Sequence, residues 1–502
     1  MTTPQLTTEF IKEKIDLINS KEYRNQRAKN YARFEIYNGQ LEPSLVKNIY
    51  AEFKKPETIN DLIHRMVPLN VVKKIVHKLA GIYLETPMRS PMDKNESDQE
   101  LIYAIEEGGR FNVKMKEANR YFKLFKCNLI EPYVDEKGMI CIRNIPRHAY
   151  EVFSHSMISP EIPDLIVKII VDDTDTSKQI FAFWTANEFK IVNGKGEVDM
   201  AKMQSLQNPD GINPYGVLPF VYISEASYAV TPLPNDDLLR MGVLIPLLLT
   251  DLAFASKYQT WSIIYVLGYD GDIPASPNSV ISLPLTVDGQ KPEIGTVKPN
   301  FDMVSSLGYI ESILDMLLVT NNLSSTGFKG QLSVSNPSSG IAKALDEAQS
   351  TEDKKDQQEF FLNGEVEMWA LLSKNLIPVW RKQRMLAPEV NREFSNVFEL
   401  RLTLREPRVT VTEQEQIEIS TKKLNANLTT LRRELSALNP DLTVEEIEEL
   451  EQEIYEERAR KQMVQMDMMS DVVAPKKKTS STEMDDEDED EDEDEGGMGD
   501  EE

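Results

Sequence analysis

Residues Asn321–Trp380 read NNLSSTGFKGQLSVSNPSSGIAKALDEAQSTEDKKDQQEFFLNGEVEMWALLSKNLIPVW. The first third is built from Ser, Thr, Gly and Asn with a single Pro, residues that favour turns and resist regular structure. The remainder has a helical pattern. Ile341, Leu345 and Ala348, then Phe361, Met368, Leu372 and Leu376, recur at spacings that keep each set on one side of a helix. Pro337 and Ser338 stand where such a helix begins. Pro378 should end or kink it, because proline lacks the backbone donor and clashes with the preceding turn. Between the two apolar ends, Ser350 to Gln358 is nearly all polar. That pattern leads us to expect a long helix that crosses an interface rather than lying in one core. Periodicity alone gives a surface loop and a long core helix in an α+β protein.

Working outward, the flanking segments fall into modules. Upstream, Leu239, Leu244, Leu248, Leu252 and Tyr258 mark a helix starting at Asn235 or Asp236 and running towards Trp261, with Pro246 expected to bend it. Met303, Leu307, Ile310, Leu314 and Leu317 mark a second helix over 301–323. Between them, glycines and prolines punctuate residues 266–300, with short strands expected at Val280–Leu285 and Gly295–Val297. Further upstream, strands are expected at Asn128–Val134 and Met139–Ile145 around an Asp135-Glu136-Lys137-Gly138 turn, and at Leu165–Val171, Gln179–Trp184 and Glu188–Val192. Helices are expected over Phe10–Ile18, Arg24–Tyr37 (ending at Asn38-Gly39), Asn70 to near Leu84, and Phe111–Cys127. Residues 93–110 read as a polar linker or short helix. Downstream, Phe398, Leu400, Leu402 and Leu404 alternate as a strand over Val397–Leu404. Residues 411–470 read helical, with capping boxes at Thr412/Glu415 and Thr443/Glu446 and an Ile447, Leu450, Ile454 stripe.

The run Ser338-Ser339-Gly340-Ile341-Ala342-Lys343-Ala344-Leu345 ahead of a long amphipathic helix resembles the portal proteins of tailed bacteriophages. So does Asn213-Pro214-Tyr215-Gly216-Val217-Leu218-Pro219 before a long helix, and so does the Asn70-initiated helix followed by Tyr83-Leu84 and Pro87. Glu85 and Thr86 depart from the pattern, since such portals often carry an apolar residue and a Gly there. The order of modules is the stronger signal. The resemblance implies an α+β multi-domain fold: a mixed wing (1–234 and 341–410), stem helices (235–265 and 301–322), a small clip (266–300), a channel loop (323–340), a helical crown (411–470) and an acidic tail (471–502). It also implies a homo-oligomeric ring, usually of twelve copies, at one capsid vertex of the virion, assembled in the host cytoplasm. Double-stranded DNA would pass through its axis during packaging and ejection. Its partners would be the terminase large subunit, head-completion or tail adaptor proteins, and the major capsid or scaffolding protein. Thr326, Phe328, Lys329, Gln331 and Ser333 are the candidate DNA-facing residues of the loop. Asp270, Asp272, Asp288 and Lys291 are candidates for partner binding in the clip.

Composition limits the alternatives. The 502 residues are 40% hydrophobic and 28% charged, which is a folded rather than a disordered chain. The net charge is −27; residues 481–502 hold fifteen acids and no base, and without them the chain still carries −12. Such a surface does not grip nucleic acid by neutralising phosphates, but it does not exclude surrounding DNA without holding it. The tail, with Lys476-Lys477-Lys478 before its acids, cannot bury enough apolar area to order itself. Cys127 and Cys141 are too few for a disulfide framework. No signal peptide is read at the N-terminus, and the most apolar run, Met241–Thr250, is short for a membrane span. There is no G-x-x-x-x-G-K-[ST], G-x-S-x-G or H-E-x-x-H motif, and His64, His77, His148 and His155 lack metal spacing, so no catalytic residue, metal or cofactor is expected. Two other classes stay open: another virion scaffold or adaptor, and an acidic-tailed chaperone that masks basic partners.

Overall fold

The computed structural model describes residues 4–225, 230–232, 236–260, 263–267, 293–297, 302–323, 340–404, 413–426, 428–439, 446–457 and 459–460. The fold is mixed α+β. It divides into two units at Thr410/Val411.

The first unit opens with five helices: α1 (Thr8–Ile18), α2 (Lys21–Asn38), α3 (Glu42–Glu52), α4 (Pro56–His64) and α5 (Val71–Leu79). Thr7, Ser20 and Asn70 cap α1, α2 and α5 by accepting from the free amides of the first turn. Gly39 ends α2 at φ +88°, a conformation that costs glycine little. The Asn70 helix stops at Leu79, before the expected Tyr83-Leu84. Strand β1 (Met88–Pro91) follows, then α6 (Glu96–Gly108) and α7 (Phe111–Phe125). Residues 96–108 are thus a full helix with Leu101, Ile102 and Ile105 buried.

Strands β2 (Cys127–Val134) and β3 (Ile140–Ile145) form the expected hairpin, with Gly138 at φ +82° in the turn. Strands β4 (Tyr150–Phe153), β5 (Leu165–Val171), β6 (Ile180–Trp184) and β7 (Phe189–Asn193) make an antiparallel sheet in chain order. α1 lays Ile11, Ile15 and Ile18 on this sheet against Leu165, Val167, Phe181 and Phe183. After α8 (Met200–Ser205), β8 (Val221–Ser224) joins β2 to give the order β3-β2-β8. Helix α9 (Asp237–Thr260) and strand β9 (Ile263–Leu267) lead out to β10 (Glu293–Val297), which pairs antiparallel with β9, and α10 (Met303–Thr320) leads back. The strand expected at Val280–Leu285 lies outside the described residues.

The long helix α11 (Gly340–Leu371) organises the main core. Phe361, Met368, Leu372 and Leu376, the residues whose spacing marked its C-terminal half, are all completely buried, as is Trp369. They pack with Phe111, Met115 and Phe122 of α7 and Val221 and Ile223 of β8. Pro378 does not stop the helix. Its missing N–H breaks the i to i−4 ladder, and one π-turn over Leu372–Leu376 absorbs the break, Ile377 N–H bonding to the Leu372 carbonyl. The chain continues as α12 (Ile377–Lys382). The polar middle of α11 is partly buried within its own subunit. Lys354 and Gln357 are buried, and Asp353 takes Lys123 Nζ at 2.5 Å. Gly81 is the clearance for this approach, since a Cβ there would lie 2.6 Å from Lys354 Cε.

Strand β11 (Leu400–Thr403) pairs with β1, turning Leu400 and Leu402 into the core as the alternation required. A buried ionic cluster ties this corner to α11. The Arg89 guanidinium meets both Glu365 and Glu106, donates to Asn112 Oδ1 at 2.7 Å and lies over the Phe111 ring. Tyr83 Oη donates to Glu365 at 2.6 Å. Burial pushes the Glu106 carboxyl up and Arg89 pulls it down, with burial the larger effect.

The second unit contains α13 (Glu413–Asn425), α14 (Leu431–Leu438) and a helical stretch over 446–457. Leu435 and Ile447 are its buried apolar residues among those described, and Ser420 Oγ donates to Glu434 at 2.6 Å. Both expected capping boxes have their threonine outside the described residues.

Candidate functional site

The nine residues singled out from sequence, Thr326, Phe328, Lys329, Gln331 and Ser333 in the loop and Asp270, Asp272, Asp288 and Lys291 in the clip, lie outside the described residues. What the structure describes is the frame that carries these segments, α9 and α10 with the β9/β10 ribbon.

α9 is pinned along its length to the N-terminal helices. At its start, Asp236 accepts from Lys29 at 2.8 Å and from the buried Arg33 at 2.5 Å, and the bond from Lys29 leads in holding its carboxyl below the ordinary range. Gly242 lets the helix close on α5 and α2, because a Cβ there would lie 2.6 Å from Val72 Cγ2 and 3.1 Å from Ile36 Cγ2. Thr250 Oγ1 donates to the Pro246 carbonyl and accepts from Val67 N–H, so the helix passes Pro246 unbroken while holding the chain before α5. Near the far end, Lys257 pairs with Asp61 at 2.6 Å. The five residues expected on one side of α9 divide. Leu239 faces α2 and α7, Leu248 and Leu252 face α10, Leu244 is half-buried, and the Tyr258 side chain lies outside the described residues. The step from 239 to 244 is five residues, which turns the helix well past one face.

α10 starts at Asp302, whose Oδ1 accepts from Val304 and Ser305 N–H at 3.0 and 3.2 Å. Ile310, Leu314 and Leu317 of the expected stripe pack against α9 and α5, while Met303 and Leu307 remain exposed. Asp251 and Ala255 share a cleft of about 430 Å³ with Ser305 and Tyr309, so the two helices run antiparallel.

A second flank of α10 is exposed, its first two residues, Ser305 and Tyr309, at the cleft with α9 and the rest facing no other described residue closely enough to be buried. Ser305, Tyr309, Ser312, Met316 and Val319 follow at four, three, four and three residues, a single face with no charge, and all five are exposed. Tyr309 is 61% exposed, Met316 69% and Val319 64%. This flank is the candidate site. Its spacing is readable in the sequence, but it is the same period as the Met303–Leu317 stripe, and two serines make it the less apolar of the two.

Both α9 over Asp237–Lys257 and α10 over Met303–Thr320 are long and apolar enough to cross a membrane by length and composition. This corrects the shorter Met241–Thr250 estimate, which stopped at the first charge. α9, however, spends its polar groups on the surrounding helices: Lys257 on α4, Asp236 on α2 and Thr250 on the segment before α5. A helix wrapped by a charged helical layer is shielded from lipid on that side.

Of the histidines, His155 Nδ1 pairs with Asp164 at 2.8 Å, and His148 sits between the Tyr31 and Phe34 rings. Among the described residues no group of three His, Cys, Asp or Glu is placed to hold a metal. Compared with known proteins, the chain matches no family model, and no curated protein matches it significantly.

Proposed function

We propose that this protein is the ring subunit of a tailed-bacteriophage portal, the vertex channel through which DNA is packaged and ejected. The observation that carries the reading is the α9–β9–β10–α10 excursion. Two antiparallel apolar helices leave an α+β body, are joined through a small antiparallel ribbon, and return towards the long core helix with an uncharged flank of α10 uncovered. An exposed apolar helix face is an association surface. On one subunit it is satisfied by a different surface of the next, and such head-to-tail contacts close into a ring.

In this reading α9 and α10 are the stem, the β9/β10 ribbon belongs to the clip, and residues 324–339 are the loop at the channel. The unit after Thr410 is the crown. The net charge of −27 suits a wall past which DNA slides, because like charge keeps phosphates from sticking. The chemistry is mechanical: the terminase motor hydrolyses ATP, and this subunit supplies passage, docking and closure.

The test is the assembly state of the purified protein, by native mass and face-on negative-stain images, with and without a scaffolding protein as nucleator. The expected result is a closed ring with an axial hole. A small oligomer without a hole that binds basic proteins would favour the chaperone class instead. Extraction only with detergent would favour a membrane hairpin. Either outcome refutes the portal reading.

A further inference from the structure

A cleft of about 820 Å³ lies away from the stem, bounded by α11, β8 and the segment that connects β4 to β5. Its walls are Val217, Leu218 and Phe220 on one side and Ala370 and Leu371 on the other, with Ile162 and Pro163 at the rim. It has the size and apolar lining of a ligand site rather than a packing defect.

Strand β8 determines what kind of ligand fits. Among the described residues it ends its sheet, with β2 on one side. Val221 and Ile223 point under α11, into the main core. Phe220 and Tyr222 point the other way, towards Leu129 and Tyr150. Yet the cleft is lined both by α11 and by Phe220, Tyr222 and Ser224. The strand residues in the lining all belong to the face turned away from α11, so a cleft that also touches α11 passes round the strand's outer edge. The edge carries a row of backbone donors and acceptors with no strand beside them among the described residues, the feature to which extended peptides add.

Charge narrows the ligand further. Glu161 and Glu367 have no hydrogen-bond or ion-pair partner among the described residues, and Asp164 is paired with His155. Glu367 is open to water on one side, yet its surroundings desolvate the carboxyl and push it above its ordinary range. Lys374 is the one basic residue among the described residues of the lining. Glu367 and Lys374 sit seven residues apart, about 10 Å along the helix, with Ala370 and Leu371 between them. The cleft thus offers an apolar floor, a free strand edge and an excess of unpaired carboxylate.

We propose that this cleft docks an extended segment of another protein, which adds as a further strand to β8, seats an apolar side chain between Phe220 and Leu371, and places a neighbouring Lys or Arg against Glu367 and Glu161. The inference stands on the cleft alone and does not depend on the ring reading.

The test uses the full chain and a phage-displayed library of random 12-residue peptides, counterselected against Ala370→Trp, which fills the cleft. A synthetic peptide of the selected sequence is then measured by fluorescence anisotropy. The expected peptides place a Lys or Arg within two residues of an apolar side chain. Glu367→Lys weakens them at least about tenfold, since a like charge replaces the partner, and N-methylation of alternate backbone amides abolishes binding. Three results would overturn the proposal: no peptide whose binding depends on the cleft, a consensus without a base, or indifference to N-methylation. Should Ala370→Trp fail to fold, Glu367→Lys serves as the counterselecting variant, being a change at an exposed position.

Discussion

Replacing Met316 and Val319 together with glutamate tests the assembly surface most directly. Both side chains are about two-thirds exposed in the single subunit. Complete burial of a Met or Val side chain is worth roughly 1.5–3 kcal/mol, so covering what these two expose gives about 1–2 kcal/mol each. Losing both removes about 2–4 kcal/mol from every subunit contact, or about 30- to 700-fold in its affinity. The two new carboxylates add to this, because each would have to be buried without a partner. In a closed ring the loss recurs at every contact, and the double variant should be monomeric where the parent assembles. The folded subunit should not notice, since substitutions at exposed positions usually shift stability by no more than about 0.5 kcal/mol. Sedimentation velocity gives the assembly state and urea unfolding the stability. If the double variant assembles as the parent does with unchanged stability, the uncharged flank of α10 is not an interface, and the argument from its exposure fails.

Glu365→Leu strands the buried Arg89 with Glu106 alone and should cost about 3–5 kcal/mol in urea unfolding, whereas Arg89→Met combined with Glu365→Leu should recover most of it; additive losses would show that the two groups do not act as a pair. Gly364→Val should destabilise by about 1–3 kcal/mol, because a Cβ there already meets Ile223 Cδ1 at 2.7 Å where α11 crosses β8; an unchanged midpoint would mean the crossing can relax. Glu131 is held below the ordinary carboxylate range although burial pushes it up, because Arg143 and Lys168 together outweigh that burial. Its contribution is therefore present above the unfolded-state value and is lost as pH falls through the lower folded-state value. Glu131→Gln should lose about 2 kcal/mol at pH 7, with the gap closing below about pH 4; a gap that stays constant down to pH 2.5 would exclude linkage to this carboxyl. Lys329→Glu, on the portal reading, should leave assembly intact and reduce DNase-protected DNA per particle, with relief at higher salt, since the Debye length is roughly 8 Å at physiological ionic strength; normal packaging would remove Lys329 from the channel.

The fold was legible where burial follows a period. Leu165–Val171 was read as a strand at its observed bounds, and Phe361, Met368, Leu372 and Leu376 were read onto one helix face and are completely buried. It was illegible where elements are short or buried on every side. β4 has four residues, all buried, so it shows no alternation, and β1 exists through its pairing with β11 some 300 residues away. Polar burial was illegible for a related reason. Nothing in the run Ser350–Gln358 distinguishes Lys354 and Gln357, which are buried, from the exposed residues around them; the partner Lys123 that satisfies Asp353 lies on another helix. Arg89, Glu106 and Glu365 are ordinary charged residues until three distant segments bring them together.

The candidate surface on α10 shows the same limit within a single helix. Two stripes of identical spacing run along it, and sequence alone cannot say which one the subunit covers for itself. Packing decides it: Ile310, Leu314 and Leu317 go to α9, which leaves the Ser305–Val319 flank outward. Asp315 borders that flank, four residues before Val319 and three after Ser312, turned from them by only about 40–60°, and is half-buried; Glu311 is turned by about 80° or more from every flank residue and is exposed. On the portal reading, a helix with one face committed to its own subunit, an uncharged flank exposed and Glu311 exposed beyond it is divided as a ring lining needs. The uncharged flank would then meet the neighbour, and the exposed Glu311 would face water or a polyanion that must not adhere. Substituting Met316 and Val319 would therefore probe association, whereas Glu311→Lys would change the charge beside the flank and leave its five residues in place. The two variants separate assembly from passage within one 18-residue helix.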